Sequence, residues 1–250
     1  MKKIRLCDID TCTQCQACVS ICPVKCISMQ EARDGFSIPI IDRTKCIECI
    51  ACMKSCHKIN PISEFQQPLK TYACWTKKST DRHNSSSGGA FSILARKILE
   101  EEGKVYGAFM NDRLMVEHIG IENSEDLALL QGSKYLQSNT HNIYSKVRDD
   151  LKKGRKILFS GTPCQIAGLY NYLKNKPENL FTCDVVCHGV PSQKAFDIYI
   201  DKIGMKGNCR KFNFRFTEGW GFQLSTQHSN TQGSTSKKKK IVSPKNCYYL

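Results

Sequence analysis

The sequence lacks any long hydrophobic run. Its longest apolar stretches are short pieces such as residues 38–41 and 157–159, whereas a membrane-spanning helix needs about 18 consecutive apolar residues. The amino terminus is basic, but no apolar stretch follows it, so the pattern of a secretory signal is also missing. We therefore expect a cytoplasmic protein without a membrane span.

The sequence is equally poor in the features of a disordered chain or a small disulfide scaffold. Hydrophobic residues make up 40% of its 250 residues, enough to fill the core of one large domain or two modest ones. Sixteen cysteines are far more than usual, but disulfide-rich scaffolds are short and secreted. Dense cysteine in a chain of this kind indicates metal or redox chemistry instead.

Ten of the sixteen cysteines lie within residues 1–66, and eight of them form an internal repeat. The segment from Cys12 to Cys22 reads Cys-x-x-Cys-x-x-Cys-x-x-x-Cys, and the pattern recurs from Cys46 to Cys56, 34 residues later. This repeat predicts two similar half-domains, at about residues 3–32 and 37–66. Three thiolates from one tight loop can hold three corners of a four-iron cluster. Zinc sites, the main alternative, usually pair two Cys-x-x-Cys motifs across a longer stretch.

Residues 1–66 resemble a bacterial-type ferredoxin domain, an α+β ferredoxin-like fold with two 4Fe–4S clusters. In such domains the fourth cysteine of each motif ligates the other cluster. The resemblance implies one cluster held by Cys12, Cys15, Cys18 and Cys56, and a second held by Cys46, Cys49, Cys52 and Cys22. His57 stands where the family has a proline, which leaves the ligands intact. Six cysteines match no ligand spacing and are assigned no role: Cys7, Cys26, Cys74, Cys183, Cys209 and Cys247.

The formal net charge of +14 suggests nucleic-acid binding at first sight. Residues 201–250 hold ten Lys or Arg and two Asp or Glu, so +8 of this charge lies in the last fifty residues. Two four-iron clusters, each about −2 with its thiolates, would lower the total to about +10. This pattern favours a docking surface or a solvated tail over a duplex-binding face, and we predict no nucleic-acid partner.

Residues 70–216 read as alternating strands and helices. Short apolar runs predict strands at residues 105–110, 114–121, 156–159, 181–186 and 211–216. Between them, helical periodicity and end signals predict helices at residues 91–99, 141–153, 163–174 and 193–203. This alternation predicts an α/β domain with a largely parallel sheet. Residues 225–240, in the basic tail at 217–250, are polar and of low complexity, which predicts a loop.

Two loops of the α/β domain have the composition of an anion-binding site. Residues 85–90, Ser-Ser-Ser-Gly-Gly-Ala, can present N–H groups to a phosphate at a helix start, although many such turns are only caps. Residues 159–165, Phe-Ser-Gly-Thr-Pro-Cys-Gln, connect a strand to a helix where open α/β sheets bind ligands. A third loop, at residues 187–192, follows the next strand. We therefore expect the loops at 159–165 and 187–192 to face one crevice.

Together, the segments SSGGAF, GTPCQIAGL and DVVCHGVPS resemble the family of coenzyme F420 hydrogenase/dehydrogenase beta subunits over roughly residues 70–216. Members of that family are iron–sulfur flavoproteins that bind FAD, and some reduce or oxidise a deazaflavin. The resemblance implies Cys164 and Cys187 as ligands of a further cluster. It also implies FAD as a cofactor, bound by Ser87, Gly88, Gly89, Gly161, Thr162, Pro163 and Gln165. Family members usually continue further, so we expect the tail at 217–250 to be incomplete.

These features predict an oxidoreductase that joins one-electron and two-electron chemistry. A four-iron cluster moves one electron at a time and a hydride donor moves two, whereas a flavin can do both. We expect electrons to pass singly through the two clusters to or from the flavin, and in pairs to or from a deazaflavin or another acceptor. The redox partner is a protein or a small molecule. The alternative is a non-catalytic ferredoxin-type carrier that docks into a larger redox complex and binds no flavin.

Overall fold

The two copies of the cysteine motif fold alike in the structure, a computed structural model that describes residues 4–61, 68–205, 207, 209–215, 223–228 and 241–242. Each copy is a loop that ends in a short helix, α1 (Ala17–Ile21) or α2 (Ala51–Ser55). Four residues of these loops have φ angles between +52° and +61°, and they are again related by the 34-residue shift: Gln14 and Gln16, Glu48 and Ile50. Left-handed backbone is costly for such residues, so its recurrence indicates a conformation that the site requires.

A two-stranded antiparallel hairpin completes this first unit. Strand β1 (Ile27–Glu31) pairs with β2 (Ser37–Ile41), and Ile27 lies opposite Ile41. Ile4 and Ile27 form a small buried core with Cys26 and Cys52. Short helices packed beside an antiparallel hairpin agree with the expected α+β ferredoxin-like unit.

The second unit is built on a four-stranded sheet with the order β4 (Val116–Ile121), β3 (Lys104–Met110), β5 (Ile157–Gly161) and β6 (Leu180–Asp184). Strands β3, β5 and β6 are parallel, and only the edge strand β4 runs antiparallel to its neighbour. The prediction of a largely parallel sheet in an α/β domain is therefore confirmed. The carboxyl ends of the parallel strands meet at one edge, where both candidate loops lie.

Helices cover both faces of this sheet. One layer contains α4 (Ala90–Glu100) and α5 (Leu127–Leu130), and the other contains α6 (Ile143–Lys152) and α7 (Pro163–Leu173). Helix α3 (Ser79–Asn84) is joined to α4 by the ion pair between Asp81 and Arg96. Helix α8 (Gln193–Lys202) packs on a separate apolar cluster with Leu114 and Phe212. Among the described residues, no helix combines the length and the apolar character that crossing a membrane requires.

The tail differs from its prediction. Strand β7 (Cys209–Asn213) pairs with β8 (Gln223–His228), which pairs with β9 (Ile241–Val242), in a separate antiparallel sheet. The strand predicted at 211–216 thus begins earlier and lies outside the parallel sheet. Residues 225–228 were wrongly predicted as loop, because main-chain pairing with β7 holds a strand of polar residues that hydropathy alone does not reveal. Residues 229–240 lie outside the described part.

Candidate metal centres and ligand crevice

Two cavities lie in the ferredoxin-like unit, and the structure groups the eight motif cysteines around them as the sequence predicted. Cavity A is lined by Cys12, Cys15, Cys18 and Cys56. Cavity B is lined by Cys22, Cys46, Cys49 and Cys52. Cys22 and Cys56 end helices α1 and α2 in extended backbone conformation, and so each reaches the opposite cavity from its own loop. That these eight thiols bind iron remains a prediction from the motif.

The chemistry of the cavities fits a multi-iron cluster. Each cavity contains the thiols of four motif cysteines, while within the described part of the chain no three His, Cys, Asp or Glu donors converge as a single metal ion requires. Burial raises the pKa of Cys15 to about 12, so a nearby cation is needed to hold its thiolate form. At Cys22 burial opposes ionisation, but the main-chain N–H and the thiol of Cys26, together with the main-chain N–H groups of Val24 and Lys25, outweigh it and lower the pKa of the Cys22 thiol.

Each cavity also contains a fifth cysteine that the spacing analysis left without a role. Cys7 lines cavity A and Cys26 lines cavity B. No spacing rule could have found them, because neither follows the motif. The only signal in the sequence was that these two cysteines fall inside the same 66-residue unit as the repeat.

Cavity A is held against the α/β unit. The hydroxyl of Tyr144 in α6 lies 2.9 Å from the main-chain oxygen of Cys15 and 3.0 Å from that of Gln165 in α7. Thr140 donates a second hydrogen bond to the Cys15 oxygen at 3.1 Å. Burial raises the pKa of Tyr144 far above its usual value, which keeps the hydroxyl a donor. A single buried side chain therefore joins the first cysteine loop to the loop that opens α7.

Cavity B lies nearer to solvent. Cys49 is exposed, and its neighbour Ile47 is 60% exposed, whereas Cys15, the repeat equivalent of Cys49, is only 8% exposed. A groove runs from Cys49 to the far end of α7, and it is lined by three exposed lysines: Lys54, Lys174 and Lys176. No Asp or Glu is among the residues that line this groove. The two cavities thus have an inner and an outer position.

The two candidate flavin loops lie at the same edge of the sheet and are joined by the segment at residues 131–140. The N–H of Ser133 donates to the hydroxyl of Ser86 at 2.7 Å, and the amide of Gln165 donates to the main-chain oxygen of Ser138 at 3.2 Å. Sequence analysis predicted one crevice for the loops at 159–165 and 187–192; it identified neither the contribution of the loop at 85–90 to this edge nor the connecting segment.

Several of the proposed flavin contacts have structural tasks of their own. A Cβ atom on Gly88 would lie 2.3 Å from the main-chain oxygen of Cys74, and Gly89, with φ +84°, is the N-cap of α4. Thr162 and Gln165 form a capping box, Pro163 is the first residue of α7, and the Gln165 side chain is 2% exposed. The Gln165 amide therefore fixes the loop instead of facing the crevice. At residue 88, the close approach of the main chain at Cys74 is enough to require glycine, even if no ligand binds there.

Groups that remain suited to an anionic ligand at this edge are the exposed Ser87 and the ammonium group of Lys134. The Lys134 amine donates to the main-chain oxygen of Gln131 at 2.8 Å, and burial lowers its pKa to about 7. Sequence analysis missed Lys134, although the preceding Gly132 and Ser133 mark a turn. Nearby, burial lowers the pKa of His118 to about 4, so this ring is neutral; its Nε2 donates to the Ser160 oxygen and its Nδ1 accepts from Ser138.

Two family models match the chain. Residues 154–250 match the one that describes the carboxyl-terminal part of the coenzyme F420 hydrogenase/dehydrogenase beta subunit, and this match runs through the tail that was predicted as a separate segment. Residues 11–59 match the 4Fe-4S dicluster domain. The two matches fall on the two units of the fold.

Two curated proteins are similar to the chain. The F subunit of the F(420)H(2) dehydrogenase of Methanosarcina mazei is 25% identical over 226 residues, which cover 84% of this chain and 63% of that protein. An uncharacterized protein of Methanocaldococcus jannaschii is 28% identical over 200 residues, covering 67% of this chain and 54% of that protein. The chain therefore spans between about half and two thirds of the length of these relatives.

A solved structure is also similar. It is a chain of the F420-reducing NiFe hydrogenase complex from Methanosarcina barkeri, with 18% identity and a TM-score of 0.47, covering 66% of this chain and 60% of that one.

Proposed function

We propose that the chain is an electron-transfer oxidoreductase with three cofactors, because it matches the model of the carboxyl-terminal part of the coenzyme F420 hydrogenase/dehydrogenase beta subunit and, in front of it, the 4Fe-4S dicluster domain. In this proposal cavities A and B each hold one 4Fe–4S cluster, and the crevice at the sheet edge holds FAD. When bound, the flavin supplies the change between single electrons and electron pairs, the latter exchanged with a deazaflavin or another acceptor. The eight motif cysteines are the cluster ligands.

The observation that carries this proposal is the order of the sites. Cavity A adjoins the loop that opens α7, through Tyr144 and the main chain of Cys15, while cavity B is exposed at Cys49. Single electrons can therefore enter or leave at cavity B and reach the crevice through cavity A. At the crevice, Ser87 and Lys134 would hold the phosphates of FAD, with Gly161, Thr162 and Pro163 shaping the loop beside them. Cys164, whose sulfur is 3.1 Å from the Thr162 hydroxyl, and the exposed Cys187 remain candidates for a further cluster.

Cofactor content tests the function directly. We expect the full chain, purified without oxygen, to contain about eight iron atoms and about one FAD. Iron would be measured by a colorimetric assay and flavin by its visible spectrum after extraction. About eight iron atoms with no flavin would favour the non-catalytic carrier instead. A chain with neither iron nor flavin would contradict both functions.

The partner that exchanges single electrons at cavity B is proposed to be an acidic one-electron carrier protein. Lys54, Lys174 and Lys176 give the groove beside Cys49 three positive charges and its lining residues no negative one. Long-range attraction to a positively charged groove raises association rates by about 10- to 1,000-fold, most strongly at low salt.

Reversing the groove charges tests this partner. With Lys54, Lys174 and Lys176 all changed to Glu, the rate constant for reduction by a reduced acidic ferredoxin should fall about tenfold or more at low salt, and the difference should shrink as salt is added. Stopped-flow absorbance of the clusters measures it. The control changes three exposed lysines outside the groove to Glu: Lys146, Lys152 and Lys202. An equal loss of rate in the control would show that net charge alone is responsible. It would contradict the proposal that the partner docks at the groove.

A further inference from the structure

We propose that Cys7 and Cys26 are reserve iron ligands, each placed to replace the cysteine that its cavity receives from the opposite loop. In cavity A that cysteine is Cys56, and in cavity B it is Cys22. This inference rests on the proposed clusters and adds a fifth thiol ligand to each site.

The geometry in cavity B is specific. The sulfur of Cys26 lies 3.5 Å from that of Cys22, and the N–H of Cys26 lies 3.4 Å from the same sulfur. Cys26 also lines the same cavity as Cys46, the first cysteine of the loop that supplies the other three ligands. Its side chain is 5% exposed and packs with Ile4 and Ile27. Rotation about the Cα–Cβ bond is therefore enough to bring the Cys26 sulfur toward the position of Cys22.

Cavity A repeats this arrangement from a different part of the sequence. Cys7 lines the same cavity as Cys12, the first cysteine of its loop, and Cys56, the cysteine from the other loop. Under the 34-residue shift that relates the half-domains, Cys7 corresponds to Ile41 and Cys26 corresponds to Asn60. Neither fifth cysteine is therefore a copy of the other. A free thiol is often only a small apolar residue, but that role does not explain why each of two cavities with four motif cysteines has a fifth cysteine in its lining.

The exchange balances without an oxidant or reductant. The bond from one iron to the Cys22 sulfur breaks, a bond from that iron to the Cys26 sulfur forms, and the Cys26 thiol proton passes to the departing thiolate or to solvent. The oxidation state of the cluster does not change. A site with this property keeps its cluster when the ligand from the opposite loop is lost.

Iron content of ligand variants tests the proposal. The Cys22→Ser chain should keep about eight iron atoms, and the Cys22→Ser, Cys26→Ser double variant should keep about four. Cys26→Ser alone should keep about eight. The matched control is Cys22→Ser with Cys183→Ser, which removes a cysteine of β6 in the other unit and should also keep about eight. The electron paramagnetic resonance spectrum of each reduced variant shows which cluster remains.

Either of two results would overturn the proposal: a fall to about four iron atoms in Cys22→Ser alone, or about eight in the double variant. Failure of the Cys22→Ser chain to fold would also overturn the proposal, since a reserve ligand would keep the chain folded. Cys56→Ser, with and without Cys7→Ser, repeats the test at cavity A. Failure of the reserve-ligand proposal can be distinguished from failure of the proposed clusters. An unaltered chain with about eight iron atoms supports the clusters whatever these variants show.

Discussion

Changing Cys15 to serine should remove about half of the iron and also stop electron transfer between the flavin and the cluster that remains. Cys15 is buried at the centre of the first motif, and serine is a poor substitute for a thiolate on iron. In our proposal the fifth cysteine of cavity A, Cys7, replaces Cys56, so Cys15 has no reserve ligand of its own. The iron content should fall from about eight to about four atoms per chain.

The matched variant is Cys49→Ser, at the equivalent position of the second motif. It should lose the same amount of iron but leave the cluster in cavity A, beside the α7 loop. Photoreduction of the bound flavin, with EDTA as the electron donor, should then bleach the remaining cluster in Cys49→Ser and not in Cys15→Ser. Equal bleaching in the two variants would contradict the order of sites, even if both had lost half of their iron.

The grouping of the eight motif cysteines could be predicted from the motif together with the resemblance to two-cluster ferredoxins. Three cysteines separated by two residues each can wrap a compact group, and in such ferredoxins the fourth cysteine ligates the other cluster. Left-handed backbone at equivalent positions of the two copies lets each loop curve around its cavity, and the residues are Gln14, Gln16, Glu48 and Ile50. The parallel strands were predictable for a similar reason, since short buried apolar runs separated by helices leave few other arrangements.

Other parts of the site depend on contacts between residues far apart in the sequence, which local patterns do not reveal. In α4 the apolar Leu94 is 48% exposed, whereas the polar Ser92 is buried and accepts a hydrogen bond from Gln131 at 2.8 Å. The bridge from Tyr144 to Cys15 spans 129 positions. The glycine-rich loop and the capping box at Thr162 illustrate another limit, because a helix cap and a phosphate loop use the same residues.

The contact between α7 and the first cysteine loop leads to a second large effect. A Cβ atom on Gly168 would lie 3.1 Å from the Cys15 sulfur, 3.2 Å from the Tyr144 hydroxyl and 3.3 Å from the Ala17 Cβ. Gly168→Leu would place three further carbon atoms beyond that Cβ in a fully packed interface. Overpacking of this kind costs about 1–3 kcal/mol, and here it also pushes cavity A away from the α7 loop. We expect a lower midpoint of denaturant unfolding and slower reduction of the clusters through the flavin.

Gly168→Ala is the graded control for this change. Its single methyl group needs neighbours to move by only a few tenths of an ångström, and alanine gains up to about 1 kcal/mol over glycine inside a helix. The two effects should nearly cancel, so the alanine variant should match the unaltered chain in unfolding midpoint and in cluster reduction. If the leucine variant were as stable and as quickly reduced as the alanine variant, α7 could not press on the Cys15 loop. The route from cavity A to the crevice would then have to pass through some other contact.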